Sequence, residues 1–274
     1  MAASFPCDTH IHTARCGHAT GRDDELVEAA IARGLAAIAL TDHVPFYWLS
    51  REERDPGLAM AFEELPRYVE DVLALKERYR GQIEVLVGVE ADYIAGREEV
   101  LARLLEAYPF DVVLGSVHFL DGWLVDAPTS LARLSQGQDE VDKIWVRYAE
   151  LLIAAAKSGL FDVLAHLDLP KKFGHRASRP FAGCQEDVVK AVAASSCAVE
   201  LSSAGRRRPM GEDYPAPDLF RELASAGVPF VLASDAHAPT EVGFAFGHLV
   251  AGAQTAGVTE VVVYRLRRGK PVAL

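Results

Sequence analysis

The sequence predicts an α/β fold in which βα units surround a parallel sheet, and three observations predict it. Short runs rich in Val, Ile, Leu and Ala alternate with longer amphipathic stretches along all 274 residues. Most of the short runs are apolar throughout, as strands covered on both faces are. No Ser/Gly linker or low-complexity tract interrupts the alternation, so residues 1–274 read as one domain.

Seven strands are expected: Phe5 to Thr9, Ala36 to Leu40, Ile83 to Val89, Val112 to Ser116, Asp162 to Ala165, Ala198 to Leu201 and Pro229 to Ala233. Between them, Asp23 to Arg33 places Leu26, Val27, Ala30 and Ile31 on one helical face. Asp23, Asp24 and Glu25 suit its positive start, and Gly34 is its stop. Glu64 to Tyr79, Glu140 to Lys157, Glu186 to Ser195 and Pro217 to Ala226 repeat the design, with Gly159 and Gly227 closing two of them. The irregular stretch Val44 to Ala61 carries Pro45, Phe46, Tyr47 and Trp48, and is read as a binding segment over the strand ends or a packed surface loop.

A formal charge of −11 argues against broad nucleic-acid or membrane binding, while a local cationic pocket could still hold an anion. Cys7, Cys16, Cys184 and Cys197 form no C-x-x-C pair, which fits a reduced, cytoplasmic setting. The opening residues lack a basic region followed by an apolar one, and no run reaches the roughly 18 apolar residues of a membrane span.

Chemistry concentrates where the short runs end. His10 and His12 lie two apart, so both can face one ion. His18 follows in a loop, and Asp42 and His43 directly follow the second run. Glu90, His118 and His166 stand at the ends of the next three, and Asp235 and His237 follow the last. Catalytic groups of barrels emerge at such C-terminal strand ends. One acid or imidazole there could be a hydrogen-bonded core group, but burying so many together costs several kcal/mol, about, unless a cation pairs them. Asp42 is placed behind a ligand, orienting it, while His175 and His248 lack this context and His248 is read as structural.

Nine candidate ligands exceed one tetrahedral site but suffice for two or three ions if a carboxylate, here Glu90, bridges. Seven neutral imidazoles and two carboxylates supply a charge of about −2, against about +6 from three divalent ions. So positive a cluster favours a dianionic substrate such as a phosphate monoester.

The phrases DTHIHT, TDHVP, GSVHF with LAHLD, and ASDAH resemble the signatures of the polymerase and histidinol phosphatase (PHP) family of metal-dependent phosphoesterases, over nearly the whole chain. GVEADY, GLFDVLAHLDLPKKFG and ELSSAGRRRP look like its histidinol-phosphatase branch. The resemblance implies a distorted seven-stranded, TIM-like barrel with a trinuclear site at the C-terminal strand ends. It assigns His10, His12, Glu90 and Asp235 to one ion, Glu90, His118 and His166 to a second, and His18, His43 and His237 to a third, the ions being zinc, manganese or iron. It implies in-line attack on phosphorus by a metal-bridging hydroxide, with Asp235 or His237 passing a proton to the leaving alkoxide.

Lys171, Lys172, Ser203, Arg206 and Arg207 are the expected substrate contacts, Arg207 and one lysine matching the branch's phosphate-binding positions. Ser202 and Ser203 replace the branch's Asn and Thr, and Arg206 stands where an apolar residue is common. The implied reaction is hydrolysis of L-histidinol phosphate, a small phosphorylated substrate. The rivals are a phosphoesterase acting on nucleotides or nucleic-acid ends, a non-catalytic PHP binding module, and an amidohydrolase. The last normally bridges its metals with a carboxylated lysine, a place that Glu90 takes here.

Overall fold

The computed structural model describes residues 5–274. Helices α1 (Asp23–Ala32), α2 (Leu65–Arg78) and α3 (Glu98–Glu106) alternate with strands β1 (Ala37–Leu40), β2 (Glu84–Asp92) and β3 (Val112–Ser116). A small hairpin, β4 (Phe119–Leu120) and β5 (Trp123–Leu124), precedes α4 (Leu131–Leu134) and the long α5 (Gln138–Lys157). Then come β6 (Val163–Leu164), α6 (Gln185–Ala193), β7 (Ala198–Ser202), α7 (Pro217–Ser225), β8 (Phe230–Ala233) and α8 (Phe246–Thr255). The chain closes with the hairpin β9 (Glu260–Arg265) and β10 (Arg268–Ala273).

Six strands pair in parallel in the order β1-β2-β3-β6-β7-β8, the curled, helix-covered sheet of a TIM-like α/β fold. Register follows the apolar residues: Ile38 lies opposite Val85, Leu114 opposite Val163, and Val199 opposite Phe230. The expected strand at Phe5 to Thr9 is not a regular one. It makes only isolated parallel bridges, from Phe5 to Leu35 and Asp8 to Ile38, and then from Ile11 to Ala236. Pro6 has no N–H to give to a ladder, which breaks regular pairing here. The segment is nonetheless held from both sides, since Asp8 N–H donates to Ala37 O at 3.2 Å and Thr9 N–H to Leu232 O at 2.9 Å.

The expected strand at Asp162 to Ala165 shrinks to Val163–Leu164 because the chain turns at His166, whose φ is +26°. Helix α3, α8 and the closing hairpin were not expected. Val263 and Tyr264 of β9 pack on Ala37, Leu86, Val112, Val163 and Val231, against the sheet near the strand starts. Glycine is obligatory at Gly115, where an added Cβ would lie 2.3 Å from the Phe161 ring. The stretch 44–61 holds one short 3-10 turn, Arg51–Glu53, and packs Phe46 and Trp48 on Phe119 with ring centroids 5.3 and 5.0 Å apart. No helix among the described residues is long and apolar enough to cross a membrane.

Candidate metal centre

Glu90 lies within β2 near its C-terminal end, His43, His118, His166 and Asp235 follow β1, β3, β6 and β8, and His10, His12 and His18 follow the irregular first segment. Past β1, Val44 N–H donates to Glu90 O at 2.9 Å, which lays His43 alongside the end of β2. His118 N–H donates to Asp92 Oδ1 at 3.1 Å, and His12 N–H donates to Ala236 O at 2.9 Å. His166 and Asp235 both sit at positive φ, +26° and +51°. Such backbone costs on the order of 1–3 kcal/mol and persists only where neighbours hold it. Arg207 is one such neighbour, its Nη2 donating to Ser234 O at 2.8 Å and Asp235 O at 2.9 Å.

The side chains converge on Glu90, which is buried. Its Oε2 lies 3.2 Å from His10 Nε2, 3.4 Å from His12 Nε2 and 3.1 Å from His43 Nδ1. Its Oε1 lies 3.0 Å from His166 Nε2 and 3.7 Å from His118 Nε2. Asp235 Oδ1 is 3.2 Å from His12 Nε2 and 3.7 Å from His10 Nε2. The ligand atoms of four sets lie within 4.8 Å of one another: His10, His12 and Asp235; His12, Cys16 and Asp42; His12, His43 and Glu90; and Glu90, His118 and His166. His18, His43 and His237 are gathered more loosely, ring centroids being 5.6 Å apart for His18 and His43 and 4.9 Å for His18 and His237.

Whether cations fit is decided by the donors. His10 Nδ1 lies 2.7 Å from Glu200 Oε2 with both side chains fully buried, so Nδ1–H donates there and Nε2 presents a lone pair. That lone pair faces His12 Nε2 at 3.0 Å and two carboxylates. Acceptors aimed at acceptors repel unless a proton or a metal ion lies among them, and a mixed imidazole and carboxylate set suits zinc, manganese or iron. The residues fit metal ions.

Electrostatics carry the same signature. Burial works against a proton on His10, yet Glu200, Glu90 and Asp235 outweigh it and hold its pKa well above the usual value. His12 likewise rises to about 9 and His118 to about 10, against burial, through Asp235 and Asp42 in the first case and Asp92 and Glu90 in the second. Burial would raise the Glu90 and Asp235 carboxyls, but the surrounding imidazoles hold both far below the usual range. Burial and the charge of His12 push His237 down to about 3.

Supporting groups stand behind the ligands. Asp42 Oδ1 faces His12 Nδ1 at 3.6 Å and accepts from His43 N–H at 3.0 Å, while Thr13 Oγ1 donates to Oδ2. Sequence reasoning missed Glu200, Asp92 and Asp8. Glu200 is a charge inside the apolar strand β7, a signal that was available. Asp92 lies 2.9 Å from His118 Nδ1 and fixes its ring as Glu200 fixes that of His10. Asp8 accepts from Ser234 N–H at 2.9 Å, Ser234 Oγ at 2.5 Å and Gly243 N–H at 2.8 Å, tying the first segment to the loop after β8.

Above the cluster opens a cleft of about 270 Å³ whose rim includes Lys172, Arg208 and Asp126. The expected basic contacts divide. Lys172 lines the cleft, its Nζ 2.7 Å from Asp126 Oδ2. Lys171 does not, being buried with Nζ on Asp168 at 2.7 Å, Glu212 at 2.9 Å and Asp213 O at 2.8 Å. Arg206 turns outward to Asp213 and His248, and Arg207 braces the β8 loop from outside the cleft. Ser203 is fully buried beneath Ala204, which takes the lining position. The arginine at the rim is Arg208, exposed and in no salt bridge among the described residues. His248 pairs with Asp213 at 3.0 Å, far from any ligand role, and His175 belongs to neither the cluster nor the cleft lining.

Residues 8–204 match the family model described as PHP domain. A protein of Deinococcus radiodurans named "Probable histidinol-phosphatase" is 40% identical over 97% of this chain and 98% of its own length. The Bacillus subtilis protein named "Histidinol-phosphatase" is 29% identical over 87% of this chain and 96% of its own. Among solved structures, histidinol phosphate phosphatase of Lactococcus lactis, crystallised with zinc, L-histidinol and phosphate, superposes with a TM-score of 0.79 at 20% identity, covering 98% of this chain and 100% of that one.

Proposed function

The chain belongs to the PHP domain family, and from that premise we propose that it hydrolyses L-histidinol phosphate to L-histidinol and inorganic phosphate, a metal-dependent step of histidine biosynthesis in the cytoplasm. The observation that carries the reaction class is the convergence of buried acceptor atoms on Glu90, at the floor of a cleft with basic residues on its rim. The substrate is taken from the 40% identical relative named "Probable histidinol-phosphatase".

His10, His12, Glu90 and Asp235 would hold one ion, Glu90, His118 and His166 a second, and His18, His43 and His237 a third. When bound, such ions lower the pKa of water and neutralise charge on phosphoryl oxygens. The chain's own share is positioning. Glu90 keeps two ligand sets in register, Asp42, Asp92 and Glu200 hold imidazole rings, and Lys172 with Arg208 receives the outer phosphoryl oxygens. Asp235 and His237 are both unprotonated at neutral pH, so neither starts as a proton donor. A proton reaching the leaving alkoxide through either would first be taken from the attacking water. The first segment, bonded to β1 on one side and β8 on the other, is read as the seventh stave of a distorted barrel.

The test is phosphate release by the purified protein supplied with manganese or zinc. L-Histidinol phosphate is expected to turn over with a kcat/KM far above those of sugar phosphates. Equal values would remove the substrate from the proposal and leave the hydrolytic chemistry.

A further inference from the structure

A site that only gripped phosphate would have no use for a carboxylate at its rim beyond the metal cluster, because a phosphate dianion and a carboxylate repel. The cleft lining contains three carboxylates, Glu90, Asp235 and Asp126, and the first two belong to the histidine cluster. Asp126 stands apart, in the loop after β5. Its place is fixed by its neighbour, since buried Val125 donates its N–H to the carbonyl of His118 at 2.9 Å. The carboxylate is therefore tethered one residue from a chain segment that carries a cluster imidazole. Oδ2 accepts from Lys172 Nζ at 2.7 Å, and Oδ1 makes no hydrogen bond among the described residues. The side chain keeps 21% of its surface open, so Oδ1 is available to whatever enters.

We propose that Asp126 is the specificity-determining residue of the cleft, receiving through Oδ1 an ammonium group that the substrate carries close to its phosphate. The assignment rests on the histidinol-phosphatase reading for the identity of that substrate, whose amine is two carbons from the ester oxygen. In the resting cleft, Lys172 and Asp126 neutralise each other. When a substrate bearing both charges enters, Lys172 turns to the phosphoryl oxygens and Asp126 to the ammonium, so one ion pair is exchanged for two charge-assisted contacts. A phosphate ester without an amine offers Lys172 a partner but leaves Asp126 uncompensated beside an anion, and is rejected for that reason.

The experiment compares the metal-loaded enzyme on L-histidinol phosphate and on its counterpart without the amine, 3-(imidazol-4-yl)propyl phosphate. A hydrogen bond between charged groups predicts a kcat/KM ratio of about 10- to 100-fold in favour of the amine. In Asp126→Asn, which exchanges a charged acceptor for a neutral one, that ratio is expected to fall by about tenfold. In Lys172→Met, both substrates are expected to weaken together and the ratio to survive. The proposal is overturned if the wild type shows no preference for the amine, if Asp126→Asn keeps the wild-type ratio, or if Lys172→Met lowers the ratio as much as Asp126→Asn does. A separate comparison, L-histidinol phosphate against glycerol and glucose phosphates, tests the histidinol reading itself. Should that reading fail while the amine ratio and its loss persist, Asp126 keeps its role toward another amino-bearing phosphate ester.

Discussion

Replacing Glu200 by Gln removes one charge and almost no volume, at a position that touches no expected metal ion. Its Oε2 lies 2.7 Å from His10 Nδ1, both side chains are fully buried, and neither Lys nor Arg pairs with it. A hydrogen bond to a charged group contributes about 1.5–3 kcal/mol and a neutral one about 0.5–1.5, so the change weakens the hold on His10 by about 1–1.5 kcal/mol. That energy reaches a bound cation through the imidazole, because the carboxylate both selects the tautomer and enriches Nε2 in electron density. Zinc affinity is therefore expected to fall about tenfold in Glu200→Gln and closer to a hundredfold in Glu200→Ala, which keeps no acceptor. Competition against a chromophoric chelator reads this directly, and circular dichroism of the metal-free variants separates it from loss of fold. Zinc affinity within twofold of the wild type in both variants would refute the coupling.

Glu90→Gln is expected to lose bound metal and activity together, as metal analysis and phosphate release on the same preparation would register, since Glu90 serves more than one ligand set. Metal uptake by the stripped protein should strengthen as pH rises from 6 towards 9: His12 and His118, raised to about 9 and about 10, hold protons that a cation must displace. Calorimetry in buffers of different ionisation enthalpy should count those protons, and the stability that the raised values give the metal-free fold, complete below about pH 6.5, should be lost as pH climbs through about 9 to 10. Gly115→Ala would drive a methyl into the Phe161 ring and is expected to cost about 1–3 kcal/mol in denaturant unfolding. Arg207→Ala should lower kcat and metal retention more than it raises KM, because Arg207 holds the backbone of Ser234 and Asp235 rather than lining the cleft.

The sheet was legible because each central strand is a continuous apolar run, a pattern that exposed or half-exposed structure does not produce. It failed at the first segment, where the apolar residues are right but Pro6 breaks the ladder and the hydrogen bonds are shared between β1 and β8. Helix α3 and the β9–β10 hairpin went unread for a different reason. Helix α3 is a nine-residue stretch that buries only Leu101 and Leu105, and β10 is exposed along its whole length, so it lacks the alternation that marks a half-buried strand.

The cluster and its rim differ in legibility for a reason rooted in geometry. A ligand at a strand end inherits its direction from the strand, so Glu90 could be placed from sequence by counting along an apolar run. The basic residues sit on 3-10 turns, Leu169–Phe173 and Ala204–Arg207, where adjacent side chains point about 120° apart. One residue of error there exchanges a buried structural cation for a cleft one, which is the difference between Lys171 and Lys172. At the second turn it passes from Arg206 and Arg207 to Arg208, just beyond the turn's end. Acids resolve what the lysines and arginines themselves do not. Lys171 is claimed by Asp168 and Glu212, Arg206 by Asp213 and Arg207 by Glu241, so the arginine left without a carboxylate is the one facing the cleft. A cation matched by acids outside the cleft has little left to offer a phosphate, unlike Lys172, whose partner Asp126 lines the cleft with it, and the pairing of acids with bases is set by tertiary contact rather than by spacing along the chain.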